Sequence, residues 1–316
     1  MRKPLWIATI IVTALMGWAM AGCGTAPVPT APEGPPVTAA AAPSTQTTAR
    51  AEAEPMMQEE KASIDSSSLK KKMNLNIYLP PGYDKNAQYP VLYLFHGYGG
   101  NENSWADDMD LQSTAGKLFG NGKLRPFIIV TPYTANSFGI NSSDTLTTRN
   151  GEDHGPYEDY ILKDVVGYVE SHYPVQKNRE GRYIAGLSMG GYVALHLGLR
   201  YSDIFSRVGG TSPAIWLNAA DSTIAASDIA WLYPTGETRK ERDPLLLAAS
   251  RDLTHTKVWL DCGTEDGYGF YEGCEKLYAA LQAKGVRAEY HAYPGGHDTG
   301  YWSEHLEAML TYLGTE

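Results

Sequence analysis

Tyr183-Ile-Ala185 is a short apolar run that ends on Gly186-Leu-Ser188-Met-Gly190-Gly191 and passes at once into Tyr192-Val-Ala-Leu-His-Leu-Gly-Leu-Arg200. The first run has the composition of a buried strand and the last the periodicity of a helix. The piece between them must therefore turn a strand into a helix within a few residues. Such a turn has no room for large side chains, which accounts for glycines two places before and two after the serine. It holds Ser188 Oγ at a helix N-terminus, above the C-terminal edge of a sheet. Gly-x-Ser-x-Gly alone is too short to be specific, and the flanking strand and helix give it meaning.

The same alternation runs through the rest of the chain. Met73, Leu75, Ile77 and Leu79 recur at period two, as in a half-buried strand. Val91–Phe95, Phe127–Val130, Tyr183–Ala185 and Val258–Leu260 are short apolar runs that each enter a Gly- or Pro-containing turn, as buried parallel strands do. Between them lie helical patterns over Leu111–Leu118, Tyr157–His172, Met189–Arg200, Tyr271–Lys284 and Trp302–Leu313. This predicts an α/β fold with a doubly wound, mostly parallel sheet flanked by helices. There is no internal repeat. Residues 69–316 have the size of one such domain, which runs to about 250 residues.

The 68 residues before it differ in kind. Arg2 and Lys3 precede an apolar run from Leu5 to Met20, shorter than the ~20 residues a spanning helix needs. It ends Met20-Ala-Gly-Cys23, which resembles a bacterial lipoprotein signal, with Met20 where such signals prefer Leu. The resemblance implies a signal peptide over 1–22, lipidation of Cys23, and export to the extracytoplasmic side as a membrane-anchored lipoprotein. Residues 23–68 are rich in Ala, Pro and Thr and are expected to form a disordered tether. The formal charge of −10 excludes a nucleic-acid binder, and loss of Arg2 and Lys3 with the signal would make it −12. Three cysteines are too few for a disulfide scaffold and lack zinc-ligand spacing. With Cys23 lipidated, Cys262 and Cys274 remain, and two buried thiols are expected rather than a bridge.

A serine nucleophile needs a base, and a group to orient that base. In sheets of this kind they follow in the order Ser, acid, His. Tyr293-Pro-Gly-Gly-His297-Asp298 puts His297 on a Gly-rich loop after a strand-like segment, while His96, His154, His172, His196, His255, His291 and His305 lack such flanks. Val258-Trp-Leu-Asp261-Cys-Gly-Thr-Glu265-Asp266 offers three acids. Asp266, past a flexible glycine, is the expected partner of His297, ahead of Asp261 and then Glu265. Asp298, adjacent to His297, is expected to be structural. An oxyanion hole needs two N–H donors. Met189, the residue after the nucleophile, supplies one. Phe95-His-Gly97-Tyr98-Gly99-Gly100 supplies the other, through Tyr98 or alternatively Gly97. Asp107, Asp108 and Asp110 precede a helix, where acids suit the dipole better than a metal. Neither metal nor organic cofactor is expected.

With these residues assembled, region 70–313 resembles the esterase D family of α/β-hydrolases, which includes S-formylglutathione hydrolases, feruloyl and acetyl-xylan esterases, and mycolyltransferases. The resemblance is carried by Asn76-Ile-Tyr-Leu-Pro-Pro-Gly82-Tyr83, Tyr89-Pro-Val-Leu-Tyr-Leu-Phe-His-Gly97, Gly186-Leu-Ser-Met-Gly-Gly191, Asp261-Cys-Gly-Thr-Glu-Asp266 and Gly295-Gly-His-Asp298 with Trp302. It implies the same triad, Ser188, Asp266 and His297, and the same Tyr98 amide. It implies a serine carboxylesterase, and export favours a feruloyl or acetyl ester of a carbohydrate as substrate. The alternatives are a cell-envelope acyltransferase of the mycolyltransferase type and a thioesterase of the S-formylglutathione hydrolase type. Tyr133, Phe138, Tyr157, Trp216 and Trp231 are expected in loops over the site, as stacking surfaces for a sugar or cinnamoyl ring. The expected partner is a small-molecule or polysaccharide ester, with membrane contact through the N-terminal lipid alone.

Overall fold

Apolar residues at alternate positions of one strand reach opposite faces of a sheet, and the strand Val91–Phe95 (β3) shows the outcome. Val91, Tyr93 and Phe95 enter one buried cluster while Leu92 and Leu94 enter another, so helices cover both faces. The computed structural model describes residues 55–217 and 231–315. The expected signal peptide, Cys23 and most of the expected tether lie outside the described residues.

The described residues build an eight-stranded sheet. Its other strands are Gln58–Ser66 (β1), Lys71–Leu79 (β2), Ile128–Pro132 (β4), Arg182–Leu187 (β7), Arg207–Thr211 (β8), Lys257–Gly263 (β9) and Arg287–Tyr293 (β10). A separate two-stranded hairpin, Thr147–Arg149 (β5) with Glu152–His154 (β6), lies between β4 and β7 in the chain. The sheet order is β1-β2-β4-β3-β7-β8-β9-β10. From β4 to β10 all neighbours are parallel, and β1 and β2 are joined antiparallel at one edge. The chain moves outward from β3 to β4 and then returns to β7 on the other side. That reversal opens a crevice at the C-terminal ends of β3 and β7, the place where open α/β sheets bind ligands.

Besides the short hairpin β5–β6, two strands of the main sheet escaped the sequence reading. Gln58–Ser66 fell inside the expected tether, so the 69 boundary is corrected: the folded domain already includes β1. This strand pairs with β2 over its whole length and buries only Ile64 and Ser66. A polar edge strand needs no apolar alternation, because its backbone pairs on one side and its charges keep the other side solvated. The second, β8, reads Arg-Val-Gly-Gly-Thr and lacks an apolar run. Its backbone nonetheless lies mid-sheet, and a Cβ at Gly209 would stand 3.0 Å from Ala185 Cβ and 3.2 Å from Leu313 Cδ1. Close packing against the last helix selects glycine there over strand propensity.

Five helical segments fit the predicted patterns: Leu111–Gly120 (α1), Val166–His172 (α2), Met189–Arg200 (α3), Phe270–Ala283 (α4) and Thr299–Gly314 (α5). The predicted helix from Tyr157 runs as an α-turn and a π-helix, Tyr160–Val165, before α2. Among the described residues, no helix is long and apolar enough to cross a membrane.

Candidate active site

Ser188 connects β7 to α3 with φ 53° and ψ −118°. For a residue with a Cβ this backbone costs on the order of 1–3 kcal/mol, so the surroundings must hold it there. Ser188 N donates to Thr211 O of β8 at 2.9 Å, and Ser188 O accepts from Tyr192 N and Ala214 N, each at 3.0 Å. The two motif glycines are close-approach positions. A Cβ at Gly186 would lie 2.4 Å from Gly190 C and O, and one at Gly190 would lie 2.3 Å from Phe95 O.

Asp266 and His297 follow β9 and β10, and the parallel ladder continues past the strand ends to carry them. Thr264 N donates to Tyr293 O at 2.8 Å, and Glu265 N to Gly295 O at 2.9 Å. Across this junction His297 Nδ1 lies 2.8 Å from Asp266 Oδ2, and His297 Nε2 lies 2.8 Å from Ser188 Oγ. A carboxylate can only accept, so Nδ1 carries the proton and Nε2 accepts from the serine hydroxyl. Asp266 is fully buried and His297 is 12% exposed at its side chain. The second carboxylate oxygen, Oδ1, accepts from Tyr268 N at 2.8 Å, and the thiol of Cys262 donates to Oδ2 at 3.4 Å. Asp261 does not reach His297. It sits within β9, where Oδ2 accepts from Trp259 Nε1 at 2.6 Å and Thr211 Oγ1 at 2.9 Å, and burial pushes its carboxyl up to about 6. Asp298 caps α5 by accepting from Tyr301 N at 3.0 Å.

Met189 is the first residue of α3, so its N–H has no acceptor within the helix. On the facing side, Gly97–Gly100 forms a tight turn closed by Gly100 N donating to Gly97 O at 3.0 Å, with Gly99 at φ 75°. His96 Nδ1 donates to the same carbonyl at 2.8 Å, while its Nε2 accepts from Thr134 N at 3.1 Å. Gly97 C=O and Tyr98 N–H are opposite ends of one peptide plane, so fixing the carbonyl also fixes the direction of the amide. Burial lowers the pKa of His96 and keeps the ring in the neutral form this dual role needs. The side chain of Tyr98 is half exposed at the rim.

These groups open into a cavity of about 600 Å³. Of the five aromatic residues expected to contact substrate, Phe138, Trp216 and Trp231 line it, and Phe138 contacts both tryptophans with centroids about 6 Å apart. Tyr133 and Tyr157 do not, and both expectations are corrected. Tyr133 stacks on His96 beneath the turn, at 5.7 Å between centroids. Tyr157 is 1% exposed and packs into the core at the start of its helical segment. The wall they were expected to form comes instead from Tyr268, Phe270 and Trp302, which meet the His297 ring edge-to-face at 4.8, 5.5 and 5.0 Å. Tyr268 and Phe270 closely follow Asp266 in sequence and Trp302 closely follows His297; that proximity was the available signal. Cys262 and Cys274 are buried free thiols. Among the described residues, no three His, Cys, Asp or Glu side chains group as a metal site.

The "Esterase" family model, described as "Putative esterase", matches residues 66–313. This chain belongs to the esterase family. Its relatives include an endo-1,4-beta-xylanase/feruloyl esterase of Xylanibacter ruminicola, 28% identical over 259 residues that cover 78% of this chain and 30% of that one. The esterase-family chain therefore spans under a third of that relative. An acetyl esterase of Caldicellulosiruptor saccharolyticus is 25% identical over 270 residues, covering 78% of this chain and 95% of the relative. Among solved structures, a ferulic acid esterase superposes with a TM-score of 0.68 at 25% identity, covering 82% of this chain and 98% of that one. The α/β-hydrolase fold is common to these structural neighbours and this chain.

Proposed function

We propose that this esterase-family chain hydrolyses carboxylic esters through an acyl-enzyme on Ser188. The observation that carries the reading is the unbroken hydrogen-bond series Ser188 Oγ, His297, Asp266 at the base of an open cavity. Ser188 Oγ attacks the ester carbonyl as His297 Nε2 takes its proton, and Asp266 holds the imidazolium that results. The Met189 and Tyr98 amides receive the developing oxyanion. His297 then passes the proton to the leaving alcohol, and water, activated by the same base, releases the acid.

The proton must travel from Nε2 to the leaving oxygen, so the alcohol lies on the His297 side, beside Tyr268 and Trp302. The acyl group then points toward Phe138, Trp216 and Trp231. This aromatic acyl side supports a feruloyl ester of a carbohydrate, with an acetyl ester as the smaller alternative; one relative is named a xylanase/feruloyl esterase and another an acetyl esterase. The described lining includes Asp108 but no Lys or Arg. Such a wall disfavours substrates rich in carboxylates, which argues against a glutathione thioester. Parallel assays of methyl ferulate, p-nitrophenyl acetate and S-formylglutathione test this. Both esters should turn over, with kcat/KM for the thioester at least about 100-fold lower, as like-charge juxtaposition costs several kcal/mol. A preference for the thioester would reverse the assignment.

For location, the sequence of residues 1–23 supports an exported, lipid-anchored protein, in which Cys23 carries the lipid. Radiolabelled palmitate should enter the intact chain and not Cys23→Ala. Equal labelling of both would end this reading.

A further inference from the structure

The turn that carries Tyr98 is held at two points by one short segment, residues 134–136, which follows β4. The first point is His96, described above. The second is Asn136, which lies outside the cavity lining and forms none of the hydrogen bonds of the triad. We infer that Asn136 is a positioning residue for the oxyanion turn: its side-chain carbonyl anchors Gly99 N–H and so ties the Gly97–Gly100 turn, the Tyr98 amide included, to the segment after β4. The inference rests on the serine-esterase reading proposed above.

Asn136 Oδ1 accepts from Gly99 N at 2.7 Å, a short bond for an N–H donor. With φ 75° at Gly99 and no positive φ at Tyr98, the Gly97–Gly100 turn has type II geometry. Types I and II differ chiefly by a flip of the central peptide, here Tyr98–Gly99. Glycine on the C-terminal side of that peptide makes the flip cheap. The flip would exchange the Gly99 N–H for the Tyr98 carbonyl, which Asn136 Oδ1 cannot bind because both are acceptors. The side chain thus discriminates between the two turn forms by donor and acceptor type.

Asn136 is itself firmly anchored. Its Nδ2 donates to Gly151 O at 3.0 Å and its backbone N to Asp153 Oδ2 at 3.1 Å, while its O accepts from Asp153 N at 3.1 Å. All of these partners belong to the β5–β6 hairpin. The preceding residue, Ala135, has φ 51°, an unusual cost for an alanine and a sign that the segment is held in place. The oxyanion turn is therefore braced against the hairpin through one amide side chain.

An oxyanion donor acts on the transition state, so the test separates kcat from KM. In the full chain with methyl ferulate, Asn136→Ala should lower kcat about 10- to 100-fold and leave KM within about twofold. The inhibition constant of a trifluoromethyl ketone, which forms the tetrahedral adduct, should rise in parallel. Asn136→Asp keeps an acceptor for Gly99 N and should recover at least threefold of the lost kcat. The inference is overturned if Asn136→Ala keeps kcat within threefold, or if its loss falls on KM. It is overturned too if Asn136→Asp is as slow as the alanine variant at an unchanged melting temperature. If Asn136→Ala does not fold, Asn136→Ser, too short to span to Gly99 N, takes its place. Ser188→Ala assayed alongside keeps the two ideas apart: activity there sinks the esterase reading itself, whereas its loss beside a normal Asn136→Ala sinks only the role of Asn136.

Discussion

Among the described residues, two histidine–carboxylate pairs are largely buried and nearly equal in length. His297 Nδ1 stands 2.8 Å from Asp266, and His196 Nε2 stands 3.0 Å from Glu158. His196 lies on α3, the helix that begins just after Ser188, and is fully buried. Its ring stacks on Tyr192 at 5.8 Å, and its Nδ1 is buried without a hydrogen-bond partner. Glu158 also accepts from Tyr201 Oη and from Arg200 Nη1, the latter at 3.0 Å. The first pair faces a hydroxyl and a cavity; the second faces only packed side chains. An imidazole bonded to a carboxylate is therefore not in itself a catalytic device. What separates the two is the atom on the far nitrogen: Ser188 Oγ on one, nothing on the other.

Breaking each pair should give opposite signatures. Ser188→Ala should lower kcat at least about 10⁴-fold and leave the melting temperature nearly unchanged, and Asp266→Asn should cost about 10²–10⁴-fold by releasing the His297 tautomer. Titration with a fluorophosphonate probe gives the active fraction needed to compare them. A Ser188→Ala protein with wild-type turnover would dissolve the contrast. Glu158→Gln should reverse the pattern. It leaves Arg200, His196 and Tyr201 around a neutral group and should cost about 3 kcal/mol of stability, measured by urea unfolding. Turnover per folded molecule should stay within about twofold. A large loss of kcat there would mean that the core pair reaches the site.

The smallest effect is a dependence on pH. Burial, outweighing the pull of Glu158, lowers the pKa of His196, so the folded state keeps it neutral while an unfolded chain protonates it below about 6.5. Burial would raise the Glu158 pKa, but its bonds from His196, Tyr201 and Arg200 together outweigh this and lower it. Both groups thus take up protons on unfolding, and both draw stability down as pH falls. Asp261, pushed up to about 6 by burial, binds its proton more readily when folded and offsets part of that loss. Melting temperatures recorded from pH 7.5 to 4.5 should decline in wild type and decline less steeply in His196→Gln, which removes the imidazole and one of the groups that hold the Glu158 pKa down. Identical slopes would remove the core pair from the acid response.

Legibility in the sequence followed what each residue has to do. Ser188 and His297 announce themselves because glycine flanks the first on both sides and precedes the second twice, and glycine is visible in a sequence. The choice of Asp266 over Asp261 is a matter of register: Asp261 is still paired within the ladder, opposite Thr211 and His291, whereas Asp266 lies past its end. The substrate wall was harder to read. Tyr133 and Tyr268 look alike as letters, and only the fold sends one under the oxyanion turn and the other to the rim. β1 and β8 were hidden for opposite reasons, one polar because it is an edge and one glycine-rich because it is crowded. Asn136 carried no signal at all, since its importance lies in which main-chain donor it meets.

Because the acid and base loops are joined by main-chain bonds beyond β9 and β10, the site has an order of assembly. Ser188 is synthesised 109 residues before His297, and Asp266 31 residues before it. His297 is carried by that junction, so Ser188 lacks its proposed base until β10 docks beside β9. On the proposed triad, a nascent or partly folded chain should be silent toward esters, and reactivity should appear only with the last strand. The appearance of fluorophosphonate labelling during refolding would therefore serve as a clock for the closing step of the sheet.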